Sequence, residues 1–292
     1  MRLNKYISHN SKYSRRDADK LIEEGRVTIN REVIKDYGFD IQDEDLVYLD
    51  NRAIKKRTEL TMIVYNKPKG VLVTKKDDRG RATIYHKMNG KFRHFIPIGR
   101  LDYASEGLLL LTDSPNVATA LMNSNLQRTY NLKLDKPITT EIIEAMKSGL
   151  SIDDASKGAH SHSKIKSMEF APFDAFEIRS QGEHFSKIRV TISEGKNREL
   201  RRFFGYFDVN VLDLKRVGFG YIELNNLPTN KTRYFTRREY DDLYKFLKQK
   251  DKDEVIDSKN QENHKAQLKQ NRKKRVQEKK DKEYYKNRDK KS

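Results

Sequence analysis

The chain has 292 residues, of which 61 are Lys or Arg and 43 are Asp or Glu, so its formal net charge at neutral pH is +18. It contains no cysteine, which excludes disulfide bonds and thiolate metal sites. No apolar run approaches the roughly 20 residues that a membrane-spanning helix needs, and the first residues lack the apolar core of a secretion signal. The composition predicts a cytoplasmic protein with a polyanionic partner, and it favours nucleic acid over lipid; a merely basic soluble protein is the alternative.

The first segment, residues 1–60, has the pattern of two helices followed by short strands. Apolar residues at helical spacing begin at Leu3. A second helix is predicted to begin at Ser14, which can form a capping box with Asp17, and to end at Gly25. Short strands are predicted at residues 27–29, 33–34 and 46–49.

Basic side chains occupy the exposed positions of this first segment. Two small helices with a basic face on a few strands are typical of a domain that contacts an RNA backbone. A solvated charged surface without an RNA role is the alternative. The candidate RNA contacts are Lys5, Arg15, Arg16, Lys20 and Arg26.

The second segment, residues 61–248, is predicted to be a mixed α+β domain dominated by sheet. Strands are predicted at 62–65, 70–73, 108–112, 130–134 and 188–192, and helices at 115–123, 139–148, 198–207 and 236–248. The third segment, 249–292, has almost no large apolar residues, and from Lys250 on it carries 16 Lys or Arg against 9 Asp or Glu. Such a composition predicts a disordered basic tail, which could add non-specific RNA affinity.

Residues 96–112 contain the strongest chemical signal. Arg100 and Asp102 lie in a polar loop that ends at Gly107, and an apolar strand follows at 108–112. Such a loop can hold a carboxylate above a sheet, and a neighbouring guanidinium can keep it ionised and bind a phosphate. From these residues alone, however, an Asp in a loop is more often a turn former or a helix cap.

Residues 99–112 resemble the catalytic motif of the pseudouridine synthases that modify ribosomal RNA. In that family, Gly-Arg-Leu-Asp is followed by a short polar segment and by Gly-Leu-Leu-Leu-Leu-Thr. Four further segments are similar to the family's other motifs, in the same order: 1–60 (the S4 RNA-binding domain), 66–70, 128–130, and 194–202 with 214–220. The resemblance covers about residues 1–245. It is to the synthases with a single S4 domain, and it leans toward the B-type enzymes that modify the RNA of the large ribosomal subunit.

The resemblance implies an α+β fold with a small N-terminal S4-like α/β domain and a mixed, mainly antiparallel synthase sheet. It implies that Asp102 is the essential carboxylate, although attack on C1′, attack on C6 and a glycal route stay open. Tyr130 is implied to stack on the target base, with a strand aromatic in the core as the alternative. Arg201 is implied to pair with Asp102 or with a phosphate, with a helix-surface charge as the alternative.

The implied partner is ribosomal RNA, with large-subunit precursor or free 23S rRNA favoured over 16S rRNA, and the protein is expected to be a monomer. The target uridine must leave its helix to be reached. Further candidate contacts to substrate or to the RNA backbone are Arg100, Lys67, Lys196, Asn197, Arg198, Arg202, Lys215 and Arg216.

No cofactor or metal is expected. The pair His160 and His162 has no third ligand at local spacing, and no phosphate-binding glycine loop ending in Gly-Lys-Ser/Thr occurs. The rival function is an RNA-binding ribosome-assembly factor without catalysis. The combination of Asp102, Tyr130 and Arg201 argues against that rival, because a pure binder does not need it. A second rival is an enzyme whose main cellular value is chaperoning RNA folding.

Overall fold

The structure is a computed structural model, and it describes residues 1–11, 13–42, 44–55, 60–159 and 163–250. The chain divides into two compact units, Met1–Glu239 and Tyr240–Ser292. The predicted basic tail lies outside the described residues except for positions 249 and 250, and the segment 160–162 also lies outside them. Within the described part of the chain, no helix combines the length and the apolarity that a membrane crossing requires.

The N-terminal part folds as two helices on a four-stranded antiparallel sheet. Ser14 accepts a hydrogen bond from the backbone N–H of Asp17, whose side chain accepts one from the backbone N–H of Ser14, so the predicted capping box is confirmed. Buried Leu3, Ile7 and Ile22 pack the helices onto the sheet. In chain order the elements are α1 (Leu3–Asn10), α2 (Arg15–Glu23), β1 (Val27–Ile29), β2 (Glu32–Val33), β3 (Val47–Leu49) and β4 (Arg52–Ala53), and the sheet order is β2-β1-β3-β4.

The larger part contains eleven further strands and five further helices within the described residues. They are β5 (Met62–Lys67), α3 (Ile84–Lys87), β6 (Ile96–Pro97), β7 (Glu106–Thr112), α4 (Pro115–Met122), β8 (Arg128–Leu134), α5 (Thr140–Ser148), β9 (Leu150–Ile152), β10 (Met168–Phe170), β11 (Ala175–Gln181), β12 (Ser186–Ile192), α6 (Glu199–Tyr206), β13 (Val211–Phe219), β14 (Ile222–Glu223), β15 (Thr232–Tyr234) and α7 (237–250).

One large sheet has the strand order β11-β12-β8-β13-β7-β5-β15, with β14 beside β13 and β6 beside β7. Every pair in it is antiparallel except β13–β7, which is parallel. The predicted mixed, mainly antiparallel sheet is therefore confirmed. Along β8 and β12, buried residues alternate with half-exposed or exposed ones. The buried side packs with α5 and α6 in one core that includes Leu132, Val190, Met146 and Phe203.

Gly107 permits the parallel contact at the centre of the sheet. Its φ is +105°, and a Cβ built on it would lie 2.2 Å from the backbone oxygen of Arg216 on β13. A side chain there would push the two strands apart, so the glycine is required by close backbone approach. This contact brings the polar loop before β7 beside β13.

Within the described residues, one predicted strand is absent, and seven strands of the larger part were not predicted: β6, β9, β10, β11, β13, β14 and β15. The strand predicted at 70–73 is a loop, because the backbone N–H groups of Gly70 and Leu72 donate to the backbone oxygens of Tyr103 and Ala82 instead of joining a sheet. Conversely, the central strand β13 was not predicted as a strand. Its charged residues interrupt the apolar alternation, and a β-bulge shifts its register near Arg216.

Candidate active site

A cavity of about 240 Å³ lies where the loop before β7 meets the ends of β8, β12 and β13 and the start of α6. Its lining brings together residues that are far apart in the chain. Of the candidate residues, it contains Arg100, Asp102, Tyr130, Lys196, Arg198, Arg201 and Arg216.

Lys67, the last residue of β5, fixes the loop that carries Asp102 through hydrogen bonds from its ammonium group. The Lys67 ammonium donates to the backbone oxygens of Asp102 at 3.0 Å, Ser105 at 2.8 Å and Pro68 at 3.0 Å. Burial lowers the pKa of Lys67 to about 8, and the charges of Asp102 and Glu106 oppose that shift. The predicted RNA contact of Lys67 is therefore wrong, because the side chain is fully buried and all three ammonium protons are used.

Two guanidinium groups approach the Asp102 carboxylate. Arg198 Nη1 donates to Asp102 Oδ2 at 3.4 Å, and Arg201 Nε lies 4.0 Å from the same oxygen. Arg201 is anchored by a 2.7 Å hydrogen bond from Nη1 to the backbone oxygen of Val211, while its buried Nε has no hydrogen-bond partner among the described residues. The Asp102 side chain remains 36% exposed, so the carboxylate faces the cavity between two cations.

Arg198 is held by the loop between β9 and β10. Its Nε donates to the backbone oxygen of Gly158 at 2.7 Å, and its own φ of +51° is in the left-handed region that non-glycine residues rarely adopt. Gly158 has a φ of +71°, and a Cβ there would lie 2.0 Å from the backbone oxygen of Arg201. The loop can therefore pack against the start of α6 only with glycine at this position.

Tyr130 and Arg216 are directly paired on β8 and β13 and form one wall of the cavity. Both are nearly buried. Arg216 Nε donates to the backbone oxygen of Leu108 at 2.7 Å, and its guanidinium lies 5.5 Å from the centre of the Phe219 ring. Burial lowers the pKa of Arg216, and its interaction with Tyr130 opposes that shift. Arg216 thus belongs to the wall itself and does not reach outward to an RNA backbone.

Sequence reasoning missed two further charged residues of the lining, Arg128 and Glu199. Arg128 is 8% exposed and donates to the backbone oxygen of Ser193 at 2.6 Å. Glu199 is 6% exposed and accepts from the backbone N–H of Lys196 at 2.9 Å. Burial, followed by the charge of Glu194, raises the pKa of Glu199 to about 7, although the Lys196 N–H opposes the shift. The even spacing of Arg128 and Tyr130 along a strand was the available signal for Arg128.

Three other candidate contacts lie away from the cavity surface or are engaged within the chain. Arg202 is fully buried and donates to the backbone oxygens of Ala155 and Asn197, so the predicted RNA contact of Arg202 is wrong. Asn197 Oδ1 accepts from Arg202 Nη2 at 3.3 Å. Lys215 precedes Arg216 on β13, and successive strand residues point to opposite faces, so Lys215 lies on the face away from the cavity.

The candidate cations of the N-terminal part have different surroundings. Arg15, Arg16 and Lys20 are exposed and have no ion pair within the described residues, whereas Lys5 is half-buried. Arg26 binds the Asp50 carboxylate through two hydrogen bonds of 2.9 and 2.6 Å. Arg26 is therefore the least available of this set for a phosphate. Within the same described residues, no group of three or more His, Asp or Glu side chains has the arrangement of a metal site.

Comparison with known proteins agrees with this geometry. Residues 61–206 match the family model for RNA pseudouridylate synthase, and residues 1–47 match the S4 domain. An uncharacterized RNA pseudouridine synthase of Helicobacter pylori strain J99 is 49% identical over 249 residues, which cover 85% of this chain and 95% of the relative. The chain belongs to the RNA pseudouridine synthase family.

Two further relatives of the synthase carry more specific names. The ribosomal large subunit pseudouridine synthase B of Bacillus subtilis is 30% identical, over 82% of this chain and 93% of its own. The dual-specificity RNA pseudouridine synthase RluF of Escherichia coli K12 is 33% identical, over 85% of this chain and 79% of its own.

A crystal structure of a pseudouridylate synthase superposes with a TM-score of 0.56 at 26% identity, over 83% of this chain and 99% of the other. The predicted family, fold class and enzyme type are confirmed. The synthase is therefore an enzyme that acts on RNA, which removes the non-catalytic binding protein as a rival. The domain boundaries at residues 60 and 248 and the roles of the individual site residues stay predictions.

Proposed function

We propose that this synthase isomerises uridine to pseudouridine in ribosomal RNA, with 23S rRNA as the substrate and Asp102 as the essential carboxylate. The names of the Bacillus relative and of the matched family support the substrate class. Modification of 16S rRNA is the alternative. Mapping pseudouridines in both rRNAs from a deletion strain distinguishes the two, since the missing site identifies the substrate. The enzyme works as a monomer in the cytoplasm under this proposal.

The single observation that carries the role of Asp102 is its position in the cavity. Among the described residues, two carboxylates line the cavity. Glu199 is buried and hydrogen-bonded to backbone, whereas Asp102 is more than one-third exposed between two guanidinium groups. The guanidinium groups at 3.4 and 4.0 Å hold the carboxylate at the cavity surface, where it can act as a nucleophile.

The reaction breaks the bond between N1 and C1′ and forms a bond between C5 and C1′. The base loses the proton on C5, and N1 of the product gains one, so no redox partner is needed. A carboxylate can form a covalent adduct or stabilise cationic character at C1′ while the base rotates. Tyr130 offers an aromatic face for the flipped base. Arg201 Nε is a buried donor without a hydrogen-bond partner among the described residues, and it lies 4.0 Å from Asp102 Oδ2, where it can pair with the carboxylate.

Substitution Asp102→Asn tests the proposal, because it keeps the size of the side chain and removes its charge. We expect loss of tritium release from C5-labelled uridine in rRNA, by at least about 10³-fold, with RNA binding retained. Asp153→Asn is the matched control, since Asp153 is exposed and outside the cavity. Near-normal release by the Asp102 variant would show that another group carries the chemistry.

A further inference from the structure

The face of the sheet opposite the cavity carries a cluster of basic residues. Alternation along β13 places Lys215 on this side, because Arg216 lines the cavity. Lys133 on β8 and Lys187 and Arg189 on β12 point the same way, since their strand neighbours are buried in the core. Together with Phe185, which precedes β12, we call these residues the outer face.

The strand register puts these cations side by side. Lys133 is the direct cross-strand partner of Lys187, and Asn131 lies between Lys215 on one side and Arg189 on the other. Strands in a sheet lie about 4.8 Å apart, and alternate residues along one strand are about 7 Å apart. Like charges directly opposite each other destabilise a sheet. The pairing of Lys133 with Lys187 therefore lowers the stability of the folded sheet, which favours a role in binding for these two lysines over a role in folding.

Carboxylates near the outer face do little to neutralise it. Asp213, opposite Lys133, forms an ion pair with Lys69, and Glu177, opposite Arg189, is bound by Arg179 at 3.4 Å. Within the described residues, none of the four outer-face cations has an ion pair. Glu106 on β7, which has no ion pair among the described residues, lies directly across from Lys215 and can offset its charge. Among the same residues, the cations without such a carboxylate are therefore Lys133, Lys187 and Arg189.

An exposed aromatic ring stands beside these charges. The Phe185 side chain is 43% exposed, and Lys133 Nζ lies 4.8 Å from the centre of its ring. Cations that follow a phosphate backbone, combined with an aromatic ring on which a base can stack, are the usual composition of a single-stranded RNA surface. An acidic protein partner would account for the cations but not for the exposed Phe185 ring, on which a base can stack.

We propose that the outer face is a second RNA-binding surface, which holds single-stranded RNA that flanks the target uridine and passes around the strand ends from the cavity. Its cations bind phosphates, and Phe185 stacks on a base. This surface is separate from the cavity and does no chemistry. The proposal rests on the proposed ribosomal RNA substrate only for the choice of probe.

The test compares a short rRNA hairpin, whose target uridine can enter the cavity, with a transcript that extends well beyond that hairpin on both sides. The triple variant Lys133→Gln, Lys187→Gln, Arg189→Gln should bind the long transcript about tenfold more weakly at low salt. The slope of log affinity against log salt should become shallower by about 2, as expected for three lost phosphate contacts to a single strand. Turnover of the short hairpin should be unchanged, which also reports that the variant folds.

A control triple variant, Lys87→Gln, Lys147→Gln, Lys231→Gln, removes the same charge from exposed positions elsewhere. An equal loss in the control would overturn the proposal, because the effect would then be general electrostatics. An unchanged salt slope for the outer-face variant would also overturn it, as would a defect seen only with assembled ribonucleoprotein, which would indicate a protein partner. Absent turnover of rRNA by the wild-type chain would instead refute the proposed function.

Discussion

Cations in the cavity region and cations in the N-terminal part have opposite surroundings. Lys67 and Arg202 are fully buried, and their donors bind oxygens of the chain itself: backbone oxygens for both, and for Arg202 also the side chains of Ser163 and Asn197. Arg15 and Arg16 are exposed at the start of α2 and have no ion pair within the described residues. A buried cation that is paired with carbonyl groups positions the chain around it, whereas an exposed one can meet a phosphate. The net charge of the protein therefore overstates the number of side chains available to RNA.

Displacing a cation that hydrogen bonds within the chain hold in place should lower turnover more than RNA binding. Arg198, which is held by Gly158 beside Asp102, is such a cation. Gly158→Ala should give the largest effect of this kind. The new Cβ would collide with the backbone oxygen of Arg201 and displace the carbonyl group that holds Arg198 near Asp102. Because a displacement of about 1 Å can lower a rate by about 10²-fold, we expect kcat to fall by that factor with little change in the Kd for RNA.

Gly80→Ala is the matched control for Gly158→Ala. Gly80 has a similar φ of +70°, but no atom of the described residues lies within 4 Å of its added Cβ. Both variants thus place alanine at a positive φ, but only Gly158→Ala brings its Cβ against the backbone oxygen of Arg201. An equal fall in kcat in both, or a loss of RNA affinity that matches the loss of rate, would contradict the positioning role. Arg198→Lys should reproduce the fall in kcat, since an ammonium cannot bridge Gly158 and Asp102 in the same way.

Removing the exposed cations Arg15 and Arg16 should have a smaller effect, and only on RNA binding. Arg15→Gln with Arg16→Gln should weaken RNA binding about tenfold at low salt and leave kcat at saturating RNA unchanged, because each lost phosphate contact removes about one counterion from the salt slope. Affinity measured across a salt series checks this. Arg26→Gln is the control, since Arg26 is already bound to Asp50. If Arg26→Gln weakened binding as much as the loss of Arg15 and Arg16, the distinction between free and paired cations would fail.

The motif at residues 99–112 singled out Asp102, which lies in the cavity lining, and the apolar patterning predicted four of the nine strands of the large sheet: β5, β7, β8 and β12. Burial of the charged residues could not be predicted in the same way. Lys67 and Arg202 have the types that are almost always exposed, so the sequence alone favours solvent or RNA as their partner. The close contact of Arg198 with Asp102 depends on a loop from another part of the chain, around Gly158, and no local pattern predicts that pairing.

The smallest effect on turnover is expected for Glu199→Gln, because the amide oxygen can still accept from the Lys196 N–H. Its effect is on pH dependence. The pKa of Glu199 is raised from 4.5 to about 7, so between those values the folded chain holds a proton that the unfolded chain has lost. Stability must therefore fall as the pH rises through this window, and the substitution removes that fall. The stability of the variant minus that of the wild type should rise by about 2 kcal/mol between pH 5 and pH 8. Urea unfolding at each pH measures it, and a difference that stays constant with pH would mean that Glu199 is ionised throughout.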